Sequence, residues 1–314
     1  MPAPKPFEMT AADGLVIHAY RWEPATAPRA IVQIAHGMAE HALRYAEVAE
    51  FLASKGYLVF ANDHRGHGKS VRPGEEPGHM ADDDAWAKAV EDLHRLNRRV
   101  AADHPGLPTV ALGHSMGSFL MQNLAFLHPE DMAAVVLVAS NGKPQPIAQA
   151  GRLVARAERL RLGKRGRSKL LNKLSFEDLN AKFRPNRTEF DWISRDVEAV
   201  DDYVADPLCG FMVTVQTWVD MLDALPTLTL PENLARLPKD RPVYCIAGDQ
   251  DPVGLMGKGV ERLVASYRAA GLRRVELRLY PGGRHEILKE TNKAEVMAEL
   301  ATWLERALAS ATPA

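Results

Sequence analysis

Four runs in the first half of the chain, AIVQIA (30–35), GYLVFAND (56–63), TVALG (109–113) and AVVLVAS (134–140), are rich in β-branched residues and apolar towards both faces. A strand with one wet face alternates; one covered on both faces does not. Stretches of helical spacing separate these runs, as in RYAEVAEFLASKG, where Tyr45, Val48, Phe51 and Leu52 recur as on a helix face. Strand, helix and strand in succession predict an α/β chain built on a doubly wound, mostly parallel sheet. FEMTAADGLVIHAYRW reads as a hairpin turning at Asp13-Gly14. PVYCIAG (242–248) and RVELRLYPG (274–282) read as two later strands, and KAEVMAELATWLERAL as a closing helix.

Residues 141–225 interrupt the alternation and carry helical and loop patterns only. IAQAGRLVARAERLRL presents an apolar stripe at Ile147, Ala150, Val154, Ala157 and Leu160, and FMVTVQTWVDML another at Phe211, Val215, Trp218 and Leu222. The expected organisation is a core over 1–140 and 226–314 with a helical cap over 141–225 inserted between two core strands. Within that cap, 152–173 holds nine basic residues against one acid, Glu158.

Composition excludes several classes. A net charge of -1 provides no field for nucleic acid. Cys209 and Cys245 lie far apart, which supports neither a disulfide framework nor a zinc site. MPAPKPFEMT has no apolar signal-peptide core, and the longest apolar run, AAVVLVA (133–139), is far short of a membrane span. A cytoplasmic protein is expected.

GHSMG (113–117) carries the chemistry. The strand TVAL runs directly into it and SFLMQNLAFL directly out, the sharp strand–turn–helix that displays a nucleophilic serine, here Ser115. A serine hydroxyl attacks poorly without a base to take its proton and an acid to orient that base. On such a sheet the order is serine, acid, histidine. Of eleven histidines only His128 and His285 follow Ser115; His128 precedes every later acid, so His285 in YPGGRHEIL is the candidate base. VYCIA opens into GDQDPV, where Asp249 and Asp251 are both candidates for the acid, and spacing does not separate them. The oxyanion needs two backbone N–H donors. Met116 follows the nucleophile, and Met38, in HGMAEH after AIVQIA, is the natural second. His36 and His41 are expected to hydrogen-bond within that loop. GHGKS (66–70) lacks the glycine a phosphate-binding loop needs, having Asp63 instead, and His64 and His67 have no accompanying ligand set for a metal. No cofactor or metal is called for.

With GHSMG, HGMAEH, DHRGHGKS, GDQDPV and GGRHEILKE together, the chain resembles the monoacylglycerol lipase and lysophospholipase branch of the α/β hydrolases through roughly 10–140 and 226–310. The resemblance implies an α/β-hydrolase fold, with Ser115, Asp251 and His285 as catalytic residues and Met38 and Met116 as oxyanion donors. The family pattern G-x-x-D, counted from Gly248, selects Asp251. The resemblance also implies that Glu40 and Arg44 lie near the alcohol end of the substrate. SRDVEAVDDYVADPL is similar to a segment of bacterial lysophospholipase-like members.

The reading is a serine carboxylic-ester hydrolase for a monoacylglycerol or lysophospholipid. Its rivals are a small-ester carboxylesterase on the same residues and a silent binding protein on the same fold. Phe183, Phe190, Trp192 and Trp218 are candidates either for an acyl tunnel or for ordinary packing. The basic run 152–173 reads either as a solvated face or as a peripheral contact with an anionic membrane.

Overall fold

The computed structural model describes residues 3–144, 146–177 and 179–309, with the backbone alone at 146–149 and 177. The strands are β1 (Lys5–Thr10), β2 (Val16–Trp22), β3 (Ala30–Ala35), β4 (Tyr57–Asn62), β5 (Thr109–His114), β6 (Ala134–Val138), β7 (Val243–Gly248) and β8 (Val275–Tyr280). They form one eight-stranded sheet in the order β1-β2-β4-β3-β5-β6-β7-β8. β1 pairs with β2, and β2 with β4, antiparallel; every later pairing is parallel. Every residue of β3 to β7 is buried, which is why these segments read as continuous apolar runs.

The α-helices in chain order are α1 (Ala46–Ser54), α2 (Ala85–Asp103), α3 (Met116–Leu127), α4 (Pro146–Leu162), α5 (Lys169–Asn172), α6 (Val197–Ala205), α7 (Val215–Ala224), α8 (Pro231–Ala235), α9 (Lys258–Ala269) and α10 (Lys293–Ala309). Leu52 of α1 and Leu300 and Trp303 of α10 pack with Val59, Val110 and Val136 on one face of the sheet. Leu93 of α2, Leu120 of α3 and Leu263 of α9 pack with Ala111, Leu137 and Cys245 on the other. The result is the three-layer α/β-hydrolase architecture. From β3 the chain winds outward to β4 and then crosses back to β5, so the winding direction switches between β3 and β5. A crevice opens outside the carboxyl ends of strands at such a point, and the loops after β3 and β5 border it.

Helices α4 to α8 fill the connection between β6 and β7. One stripe read from the sequence is corrected here. On α4, Ala150, Ala157 and Leu160 face solvent, Leu160 being 88% exposed, whereas Ala155 and Glu158 are buried; the side chain of Ile147 lies outside the described residues. Glu158 supplies the polar half of that inner face, accepting from Arg161 Nε at 2.8 Å and Ser168 Oγ at 2.5 Å. Of the second stripe, Phe211, Val215, Trp218 and Leu222 all pack on the core, with Phe211 just ahead of α7, which Thr214 caps by accepting from the Thr217 N–H.

Much of the basic run is paired. Arg152 and Arg156 pair with Asp223, and Arg161 with Glu158. Lys164 pairs with Asp83, Arg165 with Glu75 and Asp82, and Arg167 with Glu76. Arg167 also donates to the carbonyls of Met212 and Pro77. Much of the charge therefore straps the cap to the acidic loop 75–83 and to α7. Each exposed pair contributes only about 0–1 kcal/mol, so the strap acts as a network rather than through any one bond. No helix among the described residues is long and apolar enough to cross a membrane.

Candidate active site

β5 ends at His114, and Ser115 sits at φ 50°, ψ -122° before α3 begins at Met116. A non-glycine residue held there stores about 1–3 kcal/mol of strain, tolerated only where the surroundings fix it. They do: the Ser115 N–H donates to Val138 O at 3.0 Å, and Ser118 Oγ donates to Ser115 O at 2.6 Å. The flanking glycines are required by contact. A Cβ on Gly113 would collide with the Gly117 carbonyl, and one on Gly117 with the Ala35 carbonyl. The turn therefore closes only as G-x-S-x-G.

The loops after β7 and β8 bring Asp251 and His285 together. His285 Nδ1 lies 2.9 Å from Asp251 Oδ1, and the same oxygen accepts from the Val253 N–H at 2.9 Å. With Nδ1–H donating to the carboxylate, Nε2 is the free lone pair. Burial disfavours the imidazolium of His285, but Asp251, Glu286 and Glu40 outweigh it and raise the pKa above the ordinary 6.5. Asp249 bridges the two strand ends instead, its Oδ1 accepting from the Gly282 N–H at 2.8 Å and from Gln250 Nε2 at 3.1 Å. Geometry thus separates two aspartates that spacing alone left equivalent, and the one paired with His285 is the one the family pattern selects.

Met38, Met116, Ser115 and His285 line one cavity of about 960 Å³. Met116 is the first residue of α3, where backbone N–H groups have no intrahelical partner. Behind Met38, His36 Nδ1–H donates to Gly37 O at 2.7 Å while its Nε2 accepts from the His64 N–H at 2.9 Å, so the loop histidines shape the turn. His41 instead reaches Asp206, at 2.8 Å. Burial pushes His64 down to about 3 and His67 down to about 4, so neither carries charge at neutral pH.

Glu40 borders the cavity, but both of its oxygens are engaged. Oε1 accepts from the Gly37 N–H at 2.5 Å and from Tyr45 OH at 2.8 Å, and lies 3.3 Å from His114 Nδ1; Oε2 accepts from Arg44 Nη1 at 2.7 Å. Arg44 is corrected: it lies behind Glu40 rather than on the cavity wall. It grips Glu286 through two bonds of 2.6 and 2.8 Å and stacks over Tyr203 at 4.6 Å. Glu286, His114 and Tyr203 were missed in the sequence, although the first two adjoin His285 and Ser115 directly.

The cap completes the site. Phe190, Trp192 and Trp218 line the cavity, while Phe183 lies under Arg284 at 4.0 Å and is packing. The Trp192 ring stands 5.2 Å from that of His285, and Ile193 O accepts from the Glu286 N–H at 2.7 Å. The histidine loop therefore leans on the cap as well as on the sheet.

Residues 26–292 match the hydrolase family described as serine aminopeptidase, S33. The chain belongs to this family. The monoacylglycerol lipase of Mycolicibacterium smegmatis is 33% identical over 90% of each chain. The monoglyceride lipase of Rattus norvegicus is 30% identical over 96% of this chain and 90% of that one. Among solved structures, a thermostable carboxyl esterase from Bacillus coagulans, in complex with glycerol, superposes with a TM-score of 0.89 at 28% identity, covering 98% of this chain and 99% of that one. This S33-family protein is an α/β hydrolase of the lipase and esterase kind.

Proposed function

We propose that this S33-family hydrolase cleaves single-chain lipid esters, a monoacylglycerol or lysophospholipid, through an acyl-serine intermediate. The observation that carries the reading is the cavity above Ser115. At about 960 Å³ it lies near the top of the roughly 300–1,000 Å³ usual for small-molecule sites. Its lining includes Phe119, Phe176, Ile193, Trp218, Leu222 and Leu228, a wall suited to an alkyl chain. The relatives named as monoacylglycerol and monoglyceride lipases support the same substrate class.

The mechanism assigns Ser115 as nucleophile, His285 as base and Asp251 as the acid that fixes the imidazole tautomer. His285 Nε2 takes the hydroxyl proton as Ser115 Oγ bonds to the ester carbonyl carbon, and the N–H groups of Met38 and Met116 receive the oxyanion. Collapse breaks the carbon–alkoxy bond, and His285 returns the proton to the departing alcohol. Water then repeats the sequence on the acyl-serine, releasing the fatty acid.

A rate profile across monoacylglycerols, lysophospholipids and p-nitrophenyl esters of graded length tests the reading. The expected kcat/KM rises with chain length and is greatest for a long acyl chain. A maximum at acetyl or butyryl esters, with little turnover of long chains, would favour the small-ester carboxylesterase.

Membrane contact follows from the same substrate, but through other residues than the paired arginines. Leu153 and Leu160, 68% and 88% exposed, share one face of α4. Leu170 and Leu174, 46% and 63% exposed, alternate with Lys169 and Lys173, which line the cavity. Burying such side chains in a bilayer releases about 1.5–3 kcal/mol each at full burial. The double change Leu153→Gln and Leu160→Gln is expected to weaken sedimentation with phosphatidylcholine vesicles at least severalfold while sparing a soluble ester. Binding that requires anionic lipid, falls steeply with salt and is lost on changing Arg152, Arg156, Arg159 and Arg161 to Gln would return the contact to the basic run.

A further inference from the structure

Three catalytic segments come from three strand ends: 37–40 after β3, 113–115 at the end of β5, and 285–286 after β8. They meet at one buried carboxylate on the cavity's edge. Glu40 is 2% exposed, holds the Gly37 N–H of the candidate oxyanion loop, and faces His114, the residue before the nucleophile. The other nitrogen of His114 lies 3.2 Å from His285 O. Both of these partners only accept, so a neutral His114 ring serves one of them at a time. On the far side Arg44 bridges Glu40 to Glu286, the neighbour of His285. Gly37 is wedged: a Cβ there would lie 2.6 Å from Glu40 Oε1 and 3.4 Å from Ser115 Cβ. The carboxylate therefore sets how closely the Gly37–Met38 peptide approaches the nucleophile.

We propose that Glu40 is a positioning residue, acting with His114 and the Arg44–Glu286 pair to hold the oxyanion loop, the nucleophile turn and the histidine loop in register, rather than a contact for the substrate's alcohol. A charge can do this where a neutral group would not. Charge-assisted bonds are roughly twice as strong as neutral ones. Removing one member of such a buried cluster also leaves the others facing an unpaired charge. Burial alone would push the Glu40 carboxyl up; His114 and Arg44 outweigh it and hold Glu40 well below the usual carboxylate range, so it is ionised at neutral pH. The inference rests on the ester-hydrolase reading, which loss of labelling in a Ser115 variant tests by itself.

Glu40→Gln preserves volume and an acceptor for Gly37 but removes the charge. A displacement of about 1 Å in a reacting group costs on the order of 10²-fold in rate. The expected result is a fall in kcat of about 10²-fold, with KM within about threefold, and equally for a monoacylglycerol and for a p-nitrophenyl ester of the same acyl chain. The acid limb of the pH profile should also move to lower pH. The groups facing His285 are Asp251 from the β7 loop, Glu40, His114 from the nucleophile turn, Glu286 beside it and the Trp192 ring from the cap, and the variant removes one negative charge among them. A KM rise confined to the glycerol ester, with kcat and pH profile unchanged, would make Glu40 a substrate contact and overturn the proposal. Should Glu40→Gln fail to give a cooperative melt, His114→Phe decides: it keeps a ring but removes both nitrogens, one facing Glu40 and the other the His285 carbonyl. The same substrate-independent fall in kcat supports the proposal, and wild-type kinetics overturn it.

Discussion

Replacing Ser115 by alanine is expected to lower kcat for every ester by roughly 10⁴- to 10⁶-fold and to abolish labelling by a fluorophosphonate probe. The size follows from what stays behind. The loop amides, the cavity and the Asp251–His285 pair survive, so substrate still binds, but no oxygen remains at the strained apex to form the acyl-enzyme. Stability should change little, because alanine keeps the backbone at φ 50° and both flanking glycines remain. KM is expected to stay within severalfold for the same reason. Labelling that persists in the alanine variant, or a fall in kcat of less than about tenfold, would place the nucleophile elsewhere.

What the sequence made legible has a physical boundary. Strands β3 to β7 were visible because burial on both faces leaves an unbroken apolar run, a signal local to six residues or so. The sharp strand–turn–helix at Ser115 was visible because steric contact at Gly113 and Gly117 demands glycine at fixed spacing. The face of α4 was not visible. Its inner side is built on Ala155 and on Glu158, an acid acceptable there only because Ser168 and Arg161 satisfy it, and its outer side carries Leu160. Binary patterning inverts in such a case. The pairing of the basic run was not visible for a related reason: Glu75, Glu76, Asp82 and Asp83 lie some eighty to ninety residues away, and no charge count within 152–173 reports a long-range partner. Glu286 and His114 escaped notice because each takes its role from neighbours in segments that follow other strands, not from its own sequence context.

Asp251 and Asp249, two residues apart, should respond very differently to the same change. Asp251→Asn is expected to cost on the order of 10⁴-fold in kcat with the fold intact. The carboxylate accepts the Nδ1–H of His285 at 2.9 Å and so, in the proposed mechanism, leaves the Nε2 lone pair for the serine proton; an amide can donate instead and favour the opposite tautomer. The change also has a sign in pH. Burial opposes charging of His285, and Asp251 is the first of the groups that outweigh it and lift its pKa above 6.5. The working form is the neutral ring, so kcat/KM of the wild type should climb as pH rises through that raised pKa. With asparagine the largest supporting charge is gone, burial then dominates, and the limb of the residual activity should move to lower pH. Asp249→Asn should cost less than about tenfold and leave the pH profile in place, since its oxygen only accepts from the Gly282 and Gln250 N–H groups at the strand ends. Comparable losses in the two variants, or a shifted limb in the Asp249 variant alone, would mean that the loop rearranges and that the acid paired with His285 during turnover is not Asp251.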